Sequence, residues 1–402
     1  MKVPFSPPRI DEKIIKAVEE TLRTGWISTG PKTKLFELEL EKYTKAPKIL
    51  CLNSATAGLE LIMRYWGIGP GDEVIVPAYT YCATANVVMH CGAKPVMVDC
   101  GEDFNISPEK VEKAITGRTK AIVPVDIGGY PCDYDALYDI IDKKKHHFKP
   151  GNQLQKKLGR IILVADSAHS IGASYKGKSS GILADVSSFS FHAVKNLTTA
   201  EGGALCLNLP EPFNNKDIYD YLNTLSLHGQ NKDALSKFTK AAWEYDVIYP
   251  GYKCNMTDIQ ASMGLVELER YERETLPKRK EIFDFYSAEL KAFDFFQIPE
   301  YESEHKKTSY HLYLLTIANV TEAQRNEIIK KVFEKEISVN VHYKPLPLMS
   351  YYRDMGYTLK GLDVSKRKYE QEISLPVFFD LTKEQQQLVI KSLVSSYQEV
   401  VG

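Results

Sequence analysis

Five kinds of side chain in this sequence could do chemistry together: a lysine, an acid, an imidazole, an aromatic ring and a group of small hydroxyl residues. Lys195 stands in "SFSFHAVKNLTTAEGG" (188–203), between a Ser/Phe/His run and a glycine pair. Such a lysine is either a surface charge at a turn or an amine placed to bond covalently to a carbonyl. Asp166 ends "IILVAD" (161–166), after five apolar residues. Its carboxylate sits at the mouth of a buried strand and needs a partner, which a protonated ring nitrogen would supply; a turn or cap aspartate is the ordinary alternative. His169 follows three residues later and can reach the same ligand or simply fill the loop. Tyr81, in "AYTYCATAN" (78–86), offers a flat face for stacking, or packs at a sheet edge. "NSATAG" (53–58) opens a helix, where Ser54, Ala55 and Thr56 expose N–H and hydroxyl donors suited to phosphate, or merely cap the helix.

Each of these follows a short β-branched run. "KILCL" (48–52), "DEVIVP" (72–77), "KPVMVDC" (94–100), "KAIVPV" (120–125) and "RIILVAD" (160–166) alternate with helical patterns, among them one capped by Ser107. The alternation predicts βαβ units and a mostly parallel sheet, with ligands gathered beyond the carboxyl ends of its strands. "DVSSFSF" (185–191) reads as a further strand, just before Lys195. From about residue 212 the pattern changes to a helical stretch (217–228), an aromatic segment (238–258) and a long helix capped by Thr257, with Pro277 kinking it or marking a boundary within it. "SYHLYLLTI" (309–317), "ISVNVHY" (337–343) and a final amphipathic helix (382–400) predict a smaller α+β domain. We expect a large domain over 1–275, with residues 1–35 lining its active site, and a small C-terminal domain over 276–402.

Composition narrows the class. The 402 residues are 44% hydrophobic and 26% charged, with a formal net charge of −1. That is a globular balance with no electrostatic reason to expect nucleic acid or a membrane surface as partner. The basic stretch 142–160 lacks interleaved aromatics and reads as a solvated loop. Seven cysteines, with no CxxC pair, predict reduced thiols and a cytoplasmic location. The first twenty residues lack an apolar core and predict no signal peptide. No metal-binding constellation is expected.

A phosphate cradle, a stacking ring, an acid for a ring nitrogen and a lysine, all at strand ends of one sheet, are together what pyridoxal 5′-phosphate (PLP) requires.

The sequence also resembles the DegT/DnrJ/EryC1/StrS sugar aminotransferases along nearly its whole length. "GWISTGPKTKLFELEL", "NSATAGLEL", "GIGPGDEVIVPAYTYCATANVV", "ADSAHSIGA", "SFSFHAVKNLTTAEGG", "GYKCNMTDIQASMGLVEL", "VHYKPL" and "SLPVF" stand in the family's order. The resemblance implies a PLP-dependent transferase of fold type I, a mostly parallel sheet flanked by helices with a smaller C-terminal α+β domain. It implies Lys195 as the lysine that holds PLP covalently, Asp166 beside the pyridinium nitrogen, His169 near the ring hydroxyl and Tyr81 as the stacking ring. Ser54, Ala55, Thr56 and Ser190 then meet the phosphate, and Asn255 reaches it from a second copy in a homodimer. Thr29, Lys32, His342 and Tyr343, with Lys344, are candidates to meet a nucleotide-linked keto sugar, and the amino donor is L-glutamate. "GWISTGPK" and "VDIGGYPCDYDAL" look more like members acting on 4-keto than on 3-keto sugars. A sugar dehydratase of the same fold carries histidine at the position of Lys195; a regulator that binds sugar nucleotide without transamination would carry a broken catalytic set. His192 reads as structural support.

Overall fold

A computed structural model describes residues 2–231 and 245–402. The part of the expected aromatic segment at 238–244 lies outside the described residues. The strands predicted from sequence form, most of them shortened: β1 (Lys48–Leu52), with the expected bounds, β2 (Glu73–Pro77), β3 (Lys94–Val98), β4 (Thr119–Ile122), which begins one residue earlier and ends sooner, and β5 (Ile162–Asp166). A short hairpin, β6 (Ser174–Tyr175) and β7 (Lys178–Ser179), precedes β8 (Val186–Ser190) and β9 (Gly203–Leu207).

The main sheet has seven strands in the order β1-β9-β8-β5-β4-β2-β3. β3, β2, β4, β5 and β8 run parallel, whereas β9 is antiparallel to both β8 and β1. Alternate residues feed opposite faces: Ile49 and Cys51 enter one apolar cluster, Leu50 and Leu52 the other. Both faces are covered, so every residue of β2, β5 and β9 is buried, which explains why these runs read as continuously apolar.

Four helices matter most for the site. α1 (Glu12–Thr24) and α2 (Pro31–Thr44) lie ahead of the sheet in sequence; α3 (Ala55–Tyr65) follows β1, and α4 (Ala83–His90) follows β2. α3 begins at Ser54, whose Oγ accepts from the Ala57 N–H at 3.1 Å. It buries Leu59, Leu61, Ile62 and Met63 against the sheet.

Toward the C-terminus, β10 (Phe296–Gln297), β12 (Tyr313–Ile317) and β13 (Glu372–Leu375) form a second sheet, while β11 (Lys306–Lys307) pairs with β6. Thr257, Thr321 and Thr382 each close a capping box with the glutamine three residues on. The long helix is interrupted where Pro277 predicts: the turn Tyr271–Thr275 widens to a π-helix before the helix Leu276–Leu290 resumes. Proline has no N–H and crowds the carbonyl four residues back, and one wide turn absorbs both effects. Among the described residues no helix is long and apolar enough to cross a membrane, and no His/Cys/Asp/Glu group could hold a metal ion.

Candidate active site

The carboxyl ends of the parallel strands open into a cavity of about 460 Å³. β9 explains how its parts converge. Because β9 runs antiparallel, its first residue, Gly203, pairs with Leu52 at the end of β1 and with Ser190 at the end of β8. The loop carrying Lys195 therefore leaves β8 and returns at the edge where α3 begins. Gly203 has a second role. A Cβ there would lie 2.3 Å from Ala55 N, so only glycine lets β9 pass beneath the α3 N-terminus. Ser188 Oγ donates to Ala55 O at 2.9 Å and pins that end. The first N–H groups of α3, which the helix itself leaves unpaired, are thus held rigidly beside Ser190 at the cavity. We expect Gly203→Ala to push α3 outward, costing about 1–3 kcal/mol of stability and weakening PLP affinity; thermal unfolding with and without PLP measures both.

Asp166 ends β5 with 6% of its surface exposed. Its Oδ2 accepts from Thr84 Oγ at 2.7 Å and its Oδ1 from the Ala168 N–H at 3.3 Å. Burial pushes its pKa up, against the lowering by those two hydrogen bonds and by the charge of Lys195. Burial likewise lowers the Lys195 amine to about 8, with Asp166 opposing. The acid and the amine line the same cavity.

His169 is buried, and its tautomer is fixed by its neighbours. The Gly128 N–H donates to Nδ1 at 3.3 Å, so Nδ1 carries no proton and Nε2 does. That proton is shared with Tyr343 Oη at 3.1 Å. Burial first, then the charge of Lys195, holds the His169 pKa well below its usual value, so the ring stays neutral. Tyr81 is 59% exposed, its ring 6.0 Å from that of Tyr343.

The cavity gathers Ser54, Ala55, Thr56, Tyr81, Asp166 and His169, and with them Ser190, Lys195, His342 and Tyr343. The N-terminal segment enters through Phe5 and Ser6: the Phe5 ring stacks on His342 at 5.6 Å, and Ser6 Oγ donates to Val194 O at 3.2 Å. Four expected contacts lie elsewhere. Lys32 Nζ donates to Thr21 Oγ at 2.8 Å and to Ala17 O, against α1. Thr29 and Asn255 meet each other, Asn255 Nδ2 donating to Thr29 Oγ at 2.5 Å, and neither lines the cavity of its own chain. Lys344 is exposed and outside it. His192, expected as structural support, is instead exposed at the cavity edge, its Nε2 3.6 Å from Glu201 Oε1.

Sequence reasoning passed over Thr84, although it stands one helical turn beyond Tyr81. It also passed over His311, whose ring lies 4.5 Å from that of His169 and whose Nδ1 bonds Asn196 Oδ1 at 2.8 Å. Its signal was an imidazole just ahead of an apolar strand.

The donor set fits a phosphorylated pyridine aldehyde. Helix N–H groups over a glycine floor suit a phosphate, a buried acid suits a ring nitrogen, and an amine of lowered pKa suits the aldehyde. The fold and this site define the PLP-dependent aminotransferase class.

The comparisons agree. The chain belongs to the DegT/DnrJ/EryC1/StrS aminotransferase family, whose sequence profile matches residues 8–394. It is similar to UDP-4-amino-4-deoxy-L-arabinose--oxoglutarate aminotransferase of Shewanella sediminis (strain HAW-EB3), 35% identical over 411 residues covering 100% of this chain and 98% of that protein. The spore coat polysaccharide biosynthesis protein SpsC of Bacillus subtilis (strain 168) is 34% identical over 398 residues, 97% of this chain and 96% of that one. Among solved structures, the PMP form of Spr1654 from Streptococcus pneumoniae superposes with a TM-score of 0.96 at 46% identity, covering 99% of this chain and 100% of that chain. This chain is a sugar aminotransferase that uses PLP.

Proposed function

We propose that the protein transfers the amino group of L-glutamate to the C4 keto group of a nucleotide-linked 4-keto sugar, with Lys195 as the catalytic residue. The convergence of Lys195, Asp166 and the α3 N-terminus on one cavity carries this reading. A relative whose name couples a 4-amino sugar to oxoglutarate supports the carbon and the donor.

Bound PLP supplies an aldehyde that takes up the amino group and a ring that spreads the charge left at carbon. Ser54, Ala55, Thr56 and Ser190 hold its phosphate, Tyr81 covers its ring, and His169 stands near the ring hydroxyl. Asp166 keeps the ring nitrogen protonated, and the two opposite charges repay each other's burial. Lys195 Nζ first anchors the cofactor. Once displaced by the donor, it takes the proton from the donor's α-carbon and delivers it again. An amine with a pKa of about 8 changes protonation near neutral pH, as a general base should. The same groups serve the return half-reaction with the sugar, giving ping-pong kinetics. His342 and Tyr343 meet the sugar nucleotide.

The working unit is a homodimer on this reading. Asn255, with Thr29 beside it and Lys253 Nζ donating to its Oδ1 at 2.7 Å, serves the cavity of a second copy. Exposed Ile10, Ile15, Ile27, Leu35 and Leu38 offer apolar surface for that contact, and Tyr81 at 59% exposure gains cover from it. On this reading the large domain spans 1–275 and the small one 276–402, and the π-helical turn Tyr271–Thr275 just before that boundary supports the division. The cytoplasm is where such sugar nucleotides would be met.

Incubation with L-glutamate and a panel of nucleotide-linked 4-keto and 3-keto sugars, followed by mass spectrometry, tests the reading. A 4-amino sugar and 2-oxoglutarate in equal amounts are expected. Product only from 3-keto sugars would refute the C4 assignment.

A further inference from the structure

The imidazole of His342 ends a hydrogen-bonded chain that starts at a fully buried acid. Glu372, on β13, has no exposed surface. Its Oε2 accepts from the His342 backbone N–H at 2.9 Å. Its Oε1 lies 2.5 Å from Ser374 Oγ, and Ser374 Oγ lies 2.7 Å from His342 Nδ1. That leaves Nε2 for the cavity, where its only hydrogen-bond contact among the described residues is a long one, 3.4 Å to Asn340 Nδ2.

A serine hydroxyl has one proton and cannot donate in two directions. If Glu372 is ionised, Ser374 donates to it, Nδ1 donates to Ser374, and Nε2 is an acceptor, with the Asn340 amide nitrogen 3.4 Å away as a weak donor. If Glu372 is protonated, the proton sits on Oε1, because Oε2 already accepts from a backbone N–H. Oε1 then donates to Ser374, Ser374 to Nδ1, and Nε2 carries the ring proton. We propose that Glu372 is a positioning residue that sets, through Ser374, which nitrogen of His342 is protonated, and so whether His342 offers the bound substrate a donor or an acceptor. Passing between the states moves three protons one step along the chain. Glu372 gives its proton to Ser374, Ser374 gives its own to Nδ1, and Nε2 releases one to the cavity. The protonated state binds a substrate oxygen acceptor, such as a carbonyl, carboxylate or phosphate oxygen; the ionised state repels it.

The surrounding groups leave this equilibrium near neutrality. Burial pushes Glu372 up to about 8, against hydrogen bonds from Ser374 and the His342 N–H and the charge of Arg325 on the helix Glu322–Glu334. Burial, with the Lys195 charge, lowers His342 to about 3, so its ring stays neutral in both states. The other groups facing the chain are the Tyr79 hydroxyl, which donates to His342 O at 2.6 Å, and Tyr343, His169 and His311. Burial raises the pKa of both phenols and lowers that of both imidazoles, so all four stay neutral.

The role in turnover rests on the aminotransferase reading; the tautomer does not, and it is measured on cofactor-free protein. In ¹⁵N-histidine-labelled wild type, the His342 shifts are expected to report a proton on Nε2 below pH of about 8 and on Nδ1 above it. Glu372→Gln, whose amide donates permanently to Ser374, should hold Nε2–H throughout, and Ser374→Ala should lose the step. In loaded enzyme, the ratio of kcat/KM for the sugar substrate, Glu372→Gln over wild type, should rise about tenfold between roughly pH 7 and pH 9. Wild-type shifts unchanged across that range, or a flat ratio, would overturn the proposal. A tautomer step in a protein without transaminase turnover would sink the proposed function and leave the switch standing.

Discussion

Lys195→Ala is expected to abolish transamination while leaving the protein folded. The amine lines the cavity, and burial lowers its pKa to about 8. Its removal takes away both the covalent anchor and the base, so kcat should fall by at least about 10⁴-fold. Folding should not suffer, since deleting a buried amine removes a desolvation cost. Borohydride reduction followed by mass spectrometry should add the cofactor's mass to wild type and not to the variant. The pH dependence of capture has a definite sign. Attack needs the neutral amine, which grows about tenfold per pH unit below its pKa. PLP uptake by cofactor-free wild type should therefore quicken with rising pH and level off above about 8. A variant retaining turnover within tenfold of wild type would refute the assignment.

Asp166→Asn should pair lost activity with gained stability. In the cofactor-free protein the Asp166 carboxylate is held above its usual pKa, chiefly by burial, which outweighs the lowering by its two hydrogen bonds and by the charge of Lys195. The folded state then binds more protons than the unfolded state over that interval, and stability falls as pH rises through it. Asparagine has no such loss, so the cofactor-free variant should melt higher than wild type near neutral pH. The same change removes the charge that keeps the PLP ring nitrogen protonated, and kcat should fall by about 10²–10³-fold. Calorimetry of the cofactor-free proteins, together with steady-state rates, checks both halves. Equal melting temperatures would mean that Asp166 has another partner in the fold, and undiminished turnover would mean that it does not face the ring.

Much of the site was legible because its chemistry sits directly after strands. The runs ending at Leu52, Pro77 and Asp166 are apolar enough to be recognised singly, the run through Ser190 is recognised by its alternation, and a parallel sheet puts their carboxyl ends on one edge. Caps were equally legible: Ser54, Ser107 and Thr257 each accept the hydrogen bond expected of them. The position of His192 was not, because nothing local distinguishes an imidazole at a cavity edge from one that packs.

The order of residues along the chain was sufficient for the strands, the caps, the interruption of the long helix near Pro277 and the placing of an amine and an acid beyond strand ends. These depend on neighbours within a few positions, and short-range sterics and hydrogen bonding decide them. Only the tertiary structure decided that β9 turns antiparallel and brings Gly203 under α3, that Thr29 and Asn255 bond each other and do not line their own cavity, and that Glu372 and Ser374 stand behind His342. Those are contacts between distant segments. The physical reason is that sheet order and the closure of long loops fix them, and a residue's type carries no record of which strand becomes its neighbour.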